Sequence, residues 1–77
     1  MDKVNIPAYA EERYVICRFE DSDKWEARMF SELKKGALFY LYNANGTRVR
    51  NEKTGLYLFK ATSDIYYDGA YPMIDYE

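Results

Sequence analysis

The chain contains no histidine and a single cysteine, Cys17, among its 77 residues. One cysteine excludes an intramolecular disulfide, and without histidine a zinc site would need an all-carboxylate ligand set. Histidine is also the commonest general base near neutral pH, and no serine or cysteine lies in a recognisable nucleophile elbow. We therefore expect a protein with no metal site, no cofactor and no enzymatic activity.

Glycine, proline and long apolar runs are scarce as well. The four glycines occur singly, which excludes a glycine-rich phosphate-binding loop. No apolar run approaches the roughly 20 residues of a membrane span, and the residues after Met1 contain no apolar signal-peptide core. Together with an unpaired cysteine in a predicted strand, this pattern is typical of a soluble cytoplasmic protein with no membrane partner.

Aromatic residues are abundant, with nine tyrosines, four phenylalanines and one tryptophan. Residues 1–77 are enough for one domain, and a domain of this size buries too little surface for high stability. Large aromatic side chains can compensate, and so can association with a partner or with a second copy of the chain. Residues 1–11 are expected to be a flexible N-terminal arm because Pro7 cannot donate a backbone hydrogen bond.

Alternating apolar residues indicate a mainly β protein. Strands are expected over residues 13–20, 37–42, 47–50 and 56–61, with an edge strand over 71–76 that tolerates Pro72 and a loop over 65–70. Asn45-Gly46 predicts a hairpin turn because both residues accept positive φ at little cost. The expected core residues are Val15, Cys17, Phe19, Ala27, Met29, Leu33, Phe39, Leu41, Val49, Leu58 and Phe59.

Residues 24–35 admit two interpretations. As a strand, Trp25 and Met29 would alternate with charged residues and complete a hairpin with the first strand. As a helix, Trp25, Met29 and Leu33 would share one face, and Asp23 would be the N-cap. Local signals alone favour the helix, which would give an α+β fold with a helix at 24–35 packed on an antiparallel sheet.

Charge is segregated along the chain, although the net charge is only −2. Six basic residues and one acid lie between Lys34 and Lys60, and residues 61–77 contain four acids and no base. Basic residues beside aromatic residues are typical of sheets that bind single-stranded nucleic acid, although the overall acidity counts against that function. The candidate nucleic-acid-binding residues are Tyr40, Tyr42, Arg48, Arg50, Lys53 and Lys60, with Tyr57 as a further aromatic residue of the same surface.

The acidic C-terminal part is also dense in tyrosine. Tyrosine offers contact area at low entropic cost, and carboxylates pair with a partner's arginines and lysines. This composition suits docking onto a basic groove, and the alternative is an edge strand whose tyrosines cover the end of the sheet. The candidate protein-binding residues are Asp64, Tyr66, Tyr67, Asp68, Tyr71, Asp75, Tyr76 and Glu77.

The run Phe30-Ser-Glu-Leu-Lys-Lys-Gly-Ala-Leu-Phe39, followed by Tyr57-Leu-Phe-Lys-Ala61, resembles small uncharacterised accessory proteins of phages and prophages of Gram-positive bacteria. Their pattern is Phe-x-x-Leu-x-x-Gly-Asp-x-Phe, and Ala37 stands in place of its aspartate. The resemblance implies a small twisted antiparallel sheet or SH3-like barrel of five to six short strands with one short helical turn. It favours the strand interpretation of residues 24–29.

The same resemblance implies an accessory phage role. Accessory genes of this size often encode inhibitors of host defence, including anti-CRISPR proteins. The leading expectation is a non-enzymatic inhibitor in the cytoplasm of a bacterial host that binds a host protein with a basic surface, such as a CRISPR nuclease. The alternative is a small β-domain that binds single-stranded nucleic acid through Arg48, Arg50 and exposed tyrosines.

Overall fold

A computed structural model describes residues 13–77, so the arm predicted over residues 1–11 lies outside the described residues. In the described part, six short strands form a four-stranded antiparallel sheet, in the order β2-β1-β3-β4, and a separate hairpin of β5 and β6. The elements are β1 (Tyr14–Arg18), β2 (Glu26–Met29), a 3₁₀ turn (Phe30–Glu32), β3 (Leu38–Tyr42), β4 (Leu58–Lys60), β5 (Tyr66–Asp68) and β6 (Tyr71–Met73).

The segment with two interpretations contains a strand, so the mainly β prediction is confirmed and the alternative, a helix at 24–35, is not formed. β2 pairs with β1 from Tyr14 opposite Met29 to Cys17 opposite Glu26. Helical geometry is limited to the 3₁₀ turn, where the Glu32 side chain accepts the Met29 N–H at 2.8 Å. Pairing with a distant strand therefore overrides the local helix signals.

One face of the four-stranded sheet carries the core. Phe39 and Phe59 are register partners on β3 and β4, and their rings stack with centroids 5.1 Å apart. Tyr76 packs edge-on against Phe59, with ring centroids 5.0 Å apart. Burial of side chains this large contributes about 1.5–3 kcal/mol each. The buried cluster consists of Val15, Cys17, Leu33, Ala37, Phe39, Leu41, Phe59, Ala61 and Ile74.

The core prediction is wrong for Ala27 and Met29, which are exposed. Both lie on the edge strand β2 and project to the opposite side of the sheet, which we call the outer face. Leu58 lies on the outer face too and is half-buried, whereas Phe19 and Val49 are half-buried against the core cluster. The outer face is defined by Tyr14, Ile16, Ala27, Met29, Leu38, Tyr40, Tyr42 and Leu58.

Three predicted elements differ from those observed. Residues 47–50 form only a bridge between Arg48 and Tyr42, because Val49 is the one apolar side chain in this run that could be buried. The predicted loop over 65–70 contains β5, which pairs with β6 across a turn at Gly69. The predicted edge strand over 71–76 is limited to β6, where Pro72 lies opposite Tyr67.

Asn51 is the fully buried polar residue of the described part. Its Nδ2 donates to the carbonyl oxygens of Leu58 at 3.1 Å and Glu77 at 3.2 Å. Its Oδ1 accepts the Lys53 N–H at 3.0 Å, and its backbone carbonyl accepts the Gly55 N–H at 2.8 Å. One side chain therefore joins the turn over residues 51–55, β4 and the C-terminal residues.

We expect Asn51→Ala to lower the free energy of unfolding by about 2–4 kcal/mol, because it leaves buried carbonyl and N–H groups without their partners. Asn45→Ala is the matched control, since the Asn45 side chain bonds Thr47 at an exposed turn. Its expected cost is about 1 kcal/mol. Chemical denaturation of the three proteins measures both values, and equal losses for the two variants would contradict the role given to Asn51.

Cys17 provides a second test of the core. Burial raises the pKa of its thiol from 9.0 to about 11, and Glu26 and Glu32 add to the shift while Arg28 opposes it. Between these two values the unfolded chain loses the thiol proton and the folded chain keeps it, so Cys17 lowers stability as the pH rises.

The wild type should therefore lose stability relative to Cys17→Ala as the pH rises from 9.0 to about 11. Denaturation curves of both proteins across this interval measure the difference. The native thiol should also resist alkylation at neutral pH until the chain unfolds. Rapid labelling of the native protein would contradict the buried position of Cys17.

Candidate protein-binding surface

The β5–β6 hairpin exposes aromatic side chains on both of its faces. Tyr66 pairs with Met73 and Asp68 pairs with Tyr71 on one face, while Tyr67 lies on the other. Tyr67 is 61% exposed and Tyr71 is 74% exposed. A small sheet of this kind presents its side chains in a fixed register, and its rings are available for contact with a partner.

The hairpin turn consists of Gly69 and Ala70. Gly69 has a φ of +64°, and the next residue, Ala70, has a negative φ. A two-residue turn with positive φ at its first position is the type II′ turn, which matches the twist of the flanking strands and requires glycine there. The predicted loop over 65–70 therefore contains a tight turn at Gly69 and Ala70, with β-pairing on either side of it.

Three aspartates surround the hairpin and differ in their contacts. Asp64 accepts the backbone N–H of Lys35 at 2.9 Å, and Asp75 accepts the hydroxyl of Tyr66 at 2.7 Å. Asp68 is exposed beside the turn. Within residues 13–77 none of these three carboxylates forms an ion pair. Two of them position the hairpin, and all three keep their charge available to a cation.

The last two predicted binding residues, Tyr76 and Glu77, make contacts within the chain that stabilise the fold. Tyr76 is half-buried, its carbonyl accepts Lys53 Nζ at 2.7 Å, and this Nζ lies 4.5 Å from the ring centroid. Glu77 exchanges backbone hydrogen bonds with Lys60, at 3.3 and 3.0 Å. The eight predicted residues therefore divide into a hairpin group (Asp64, Tyr66, Tyr67, Asp68, Tyr71 and Asp75) and this structural pair.

The six candidates for nucleic-acid binding do not form one patch. Arg48 and Arg50 do converge, with guanidinium carbons 4.9 and 5.2 Å from the ring centroid of Tyr57. Lys53 and Lys60 instead contact Tyr76 and Glu77, as described above. Tyr57, the further aromatic residue of the predicted surface, is therefore the ring on which both arginines converge.

The two remaining tyrosines lie on the outer face of the sheet. Tyr42 is buried and stacks on Tyr14 with ring centroids 5.2 Å apart, so it offers no ring to a nucleobase. Tyr40 is half-buried against Trp25, at 5.5 Å between centroids. Both rings are covered by other aromatic side chains, so the predicted stacking platform is reduced to Tyr57, which is 37% exposed.

A cleft of about 610 Å³ lies between β6 and the core face of the sheet. Its volume is within the range of sites that bind small molecules or the anchor side chain of a partner. Arg13, Arg50 and Glu52 contribute its charged groups. The remaining lining is apolar or aromatic and comes from Phe30, Phe39, Leu41, Val49, Phe59, Tyr71, Pro72, Met73, Ile74 and Tyr76.

Two further observations bear on the chemistry available to residues 13–77. This part of the chain contains no group of three or more cysteines, aspartates and glutamates close enough to hold a metal ion. It also contains no helix long and apolar enough to cross a membrane. No protein-family model matches the chain, and neither the curated proteins nor the solved structures include a significant match to it.

The contact between Tyr66 and Asp75 can be tested by titration. The hydrogen bond to the Asp75 carboxylate, with smaller contributions from burial and from the negative charges of Asp75 and Asp68, raises the pKa of Tyr66 above 10.0. The bond therefore stabilises the hairpin below that pH, and its contribution is lost as the pH rises through the raised pKa.

We expect Asp75→Asn to lower the pKa of Tyr66, because the substitution removes the negative charge that disfavours the phenolate. Asp64→Asn is the control, since Asp64 bonds Lys35 and not Tyr66. Tyrosine ring-carbon chemical shifts, followed by NMR against pH, report on Tyr66 individually. A Tyr66 titration that is the same in the wild type and in Asp75→Asn would contradict the assigned contact.

Proposed function

We propose that the protein is a non-enzymatic binding module that docks its β5–β6 hairpin onto a basic surface of another protein. The observation that carries the proposal is the combination of exposed rings on one small sheet with nearby carboxylates that form no ion pair within residues 13–77. Tyr67 and Tyr71 are the most exposed of these rings, and Asp68 lies opposite Tyr71. Exposed tyrosines give contact area, and charge complementarity selects and steers the partner.

The cleft beside the hairpin adds a second element to this surface. Tyr71 and Met73 line the cleft and are also exposed on the hairpin, so the two features are continuous. Binding energy in protein interfaces is concentrated where a side chain of one partner fills an apolar pocket of the other. We expect the partner to place an apolar side chain in this cleft while its basic groups meet the aspartates.

A groove that normally holds nucleic acid is one basic surface of this kind. Such a groove presents many arginines and lysines to phosphates, and carboxylates on a rigid hairpin can compete for them. The resemblance of the Phe30–Phe39 run to phage accessory proteins supports an inhibitor of a bacterial defence protein, CRISPR nucleases included, as the specific form of the proposal. That role would place the protein in the host cytoplasm.

The first experiment is an affinity pull-down with the tagged protein from a lysate of a Gram-positive bacterium, with and without nuclease treatment. Recovery of the same basic protein under both conditions supports the proposal and provides the partner for binding measurements. Recovery that is lost with nuclease favours direct nucleic-acid binding through Arg48, Arg50 and Tyr57. A gel shift with a single-stranded oligonucleotide at low salt would then test that second function.

With the recovered partner, Asp68→Lys should weaken binding roughly tenfold to a hundredfold, because it places a positive charge against a basic surface. Asp23→Lys is the matched control, since it makes the same charge change at the turn between β1 and β2. Tyr67→Ser with Tyr71→Ser tests the aromatic contribution without a change of charge. Calorimetric affinities that are equal for Asp68→Lys and Asp23→Lys would contradict the proposed surface.

A further inference from the structure

Among residues 13–77, the four-stranded sheet has one edge covered and one edge open. At β4, the N–H of Lys60 donates to the Glu77 carbonyl at 3.3 Å and the N–H of Glu77 donates to the Lys60 carbonyl at 3.0 Å. At the other edge, β2 pairs with β1 alone among residues 13–77. Trp25, Ala27 and Met29 are exposed there. An open edge of this kind is a template for pairing with another strand.

The backbone of β2 shows which groups are available at this edge. The N–H of Met29 donates to the Glu32 side chain, so it does not point toward β1. In an antiparallel ladder, alternate residues direct both their N–H and C=O to the same side. Ala27 therefore directs both groups away from β1, while Glu26 and Arg28 direct theirs toward it. The register with β1 is continuous, so no bulge blocks the edge.

We propose that two copies of the chain join edge to edge through β2, antiparallel, about a two-fold axis at Ala27. Ala27 then exchanges both backbone hydrogen bonds with Ala27 of the partner subunit. Glu26 lies opposite Arg28 of the partner subunit, and the symmetry repeats this pair on the other side of the axis. Opposite charges that face each other across two strands stabilise the pairing, and like charges oppose it.

The charges fix the register of this pairing. An axis at Glu26 would set two glutamates opposite each other, and an axis at Arg28 would do the same with two arginines. Within one chain, Arg28 already contacts Glu26 at 2.8 Å and Glu32 at 3.7 Å, so its guanidinium is oriented near the carboxylates of this edge. The axis at Ala27 is the arrangement in which both charged pairs are complementary.

The outer face adds an apolar contact to the same register. Trp25 lies opposite Met29 of the partner subunit, and a thioether beside an aromatic ring is a favourable pair. The Trp25 ring is oriented within its own chain by Tyr40 and by Arg18, whose guanidinium carbon is 5.9 Å from the ring centroid. Because β2 has only four residues, the interface is smaller than a standard one, and we expect a micromolar dimer.

The test uses charge reversal in trans, with the self-association constant measured by analytical ultracentrifugation from low micromolar to near-millimolar protein. Glu26→Arg alone and Arg28→Glu alone should each weaken the homodimer roughly tenfold, because both create like-charge pairs. An equal mixture of the two variants should recover the wild-type association, since every pair in that heterodimer is again opposite in charge. Asp21→Lys, in the turn between β1 and β2, is the control and should leave the constant unchanged.

Ala27→Pro is the second variant and should abolish association, because proline removes the outward N–H without affecting the bonds from β2 to β1. Circular dichroism of each variant verifies the fold. A wild type that stays monomeric throughout the concentration range would overturn the proposal. A self-association constant that is unchanged by Glu26→Arg and by Arg28→Glu would also overturn it. The dimer is independent of the hairpin function, and the hairpin variants should leave the self-association constant unchanged.

Discussion

The fold of this small protein depends on one buried amide. Asn51 occupies the point where the turn over residues 51–55, strand β4 and the C-terminal residues meet, and its side chain bonds all three. A chain with one cysteine cannot fasten these segments with a disulfide. Hydrogen bonds from a buried side chain have this role instead, and low local polarity strengthens them while making their loss costly. Glu52 and Tyr76, which line the cleft, lie in segments that Asn51 joins.

The acidic residues of the hairpin combine positioning with exposure. Asp64 joins the segment before β5 to the backbone of Lys35, and Asp75 accepts a hydrogen bond from the hydroxyl of Tyr66. A surface loop without such bonds would lose conformational entropy on binding, and prior ordering lowers that cost. The same carboxylates remain without an ion-pair partner in the described part of the chain. The side chains that order the hairpin are therefore also those that the proposed binding function would use.

Much of the sheet could be predicted from the sequence, because β1 and β3 are rich in β-branched and aromatic residues. At the turn after β3, Gly46 has the expected positive φ, +90°, whereas the expectation is wrong for Asn45, whose φ is negative. What could not be predicted depends on distant partners. Strand β2 carries helix signals and becomes a strand only through its pairing with β1. Burial of the polar Asn51 follows from contacts with residues up to 26 positions away. Exposure of Ala27 and Met29 depends on β2 lying at the edge, which no local pattern reveals.

The charge segregation in the sequence has a different meaning once the chain is folded. The basic middle part meets the acidic end at Lys60 and Glu77, whose side chains approach to 3.9 Å. Part of the charge asymmetry is therefore balanced within the chain, and an exposed ion pair of this kind adds little stability. The acidic charge that stays outward is concentrated at the hairpin, around Asp68. Folding therefore concentrates the outward acidic charge of these seventeen residues beside the exposed rings of the hairpin. A local negative charge beside ordered aromatic rings is suited to selective binding of a basic partner.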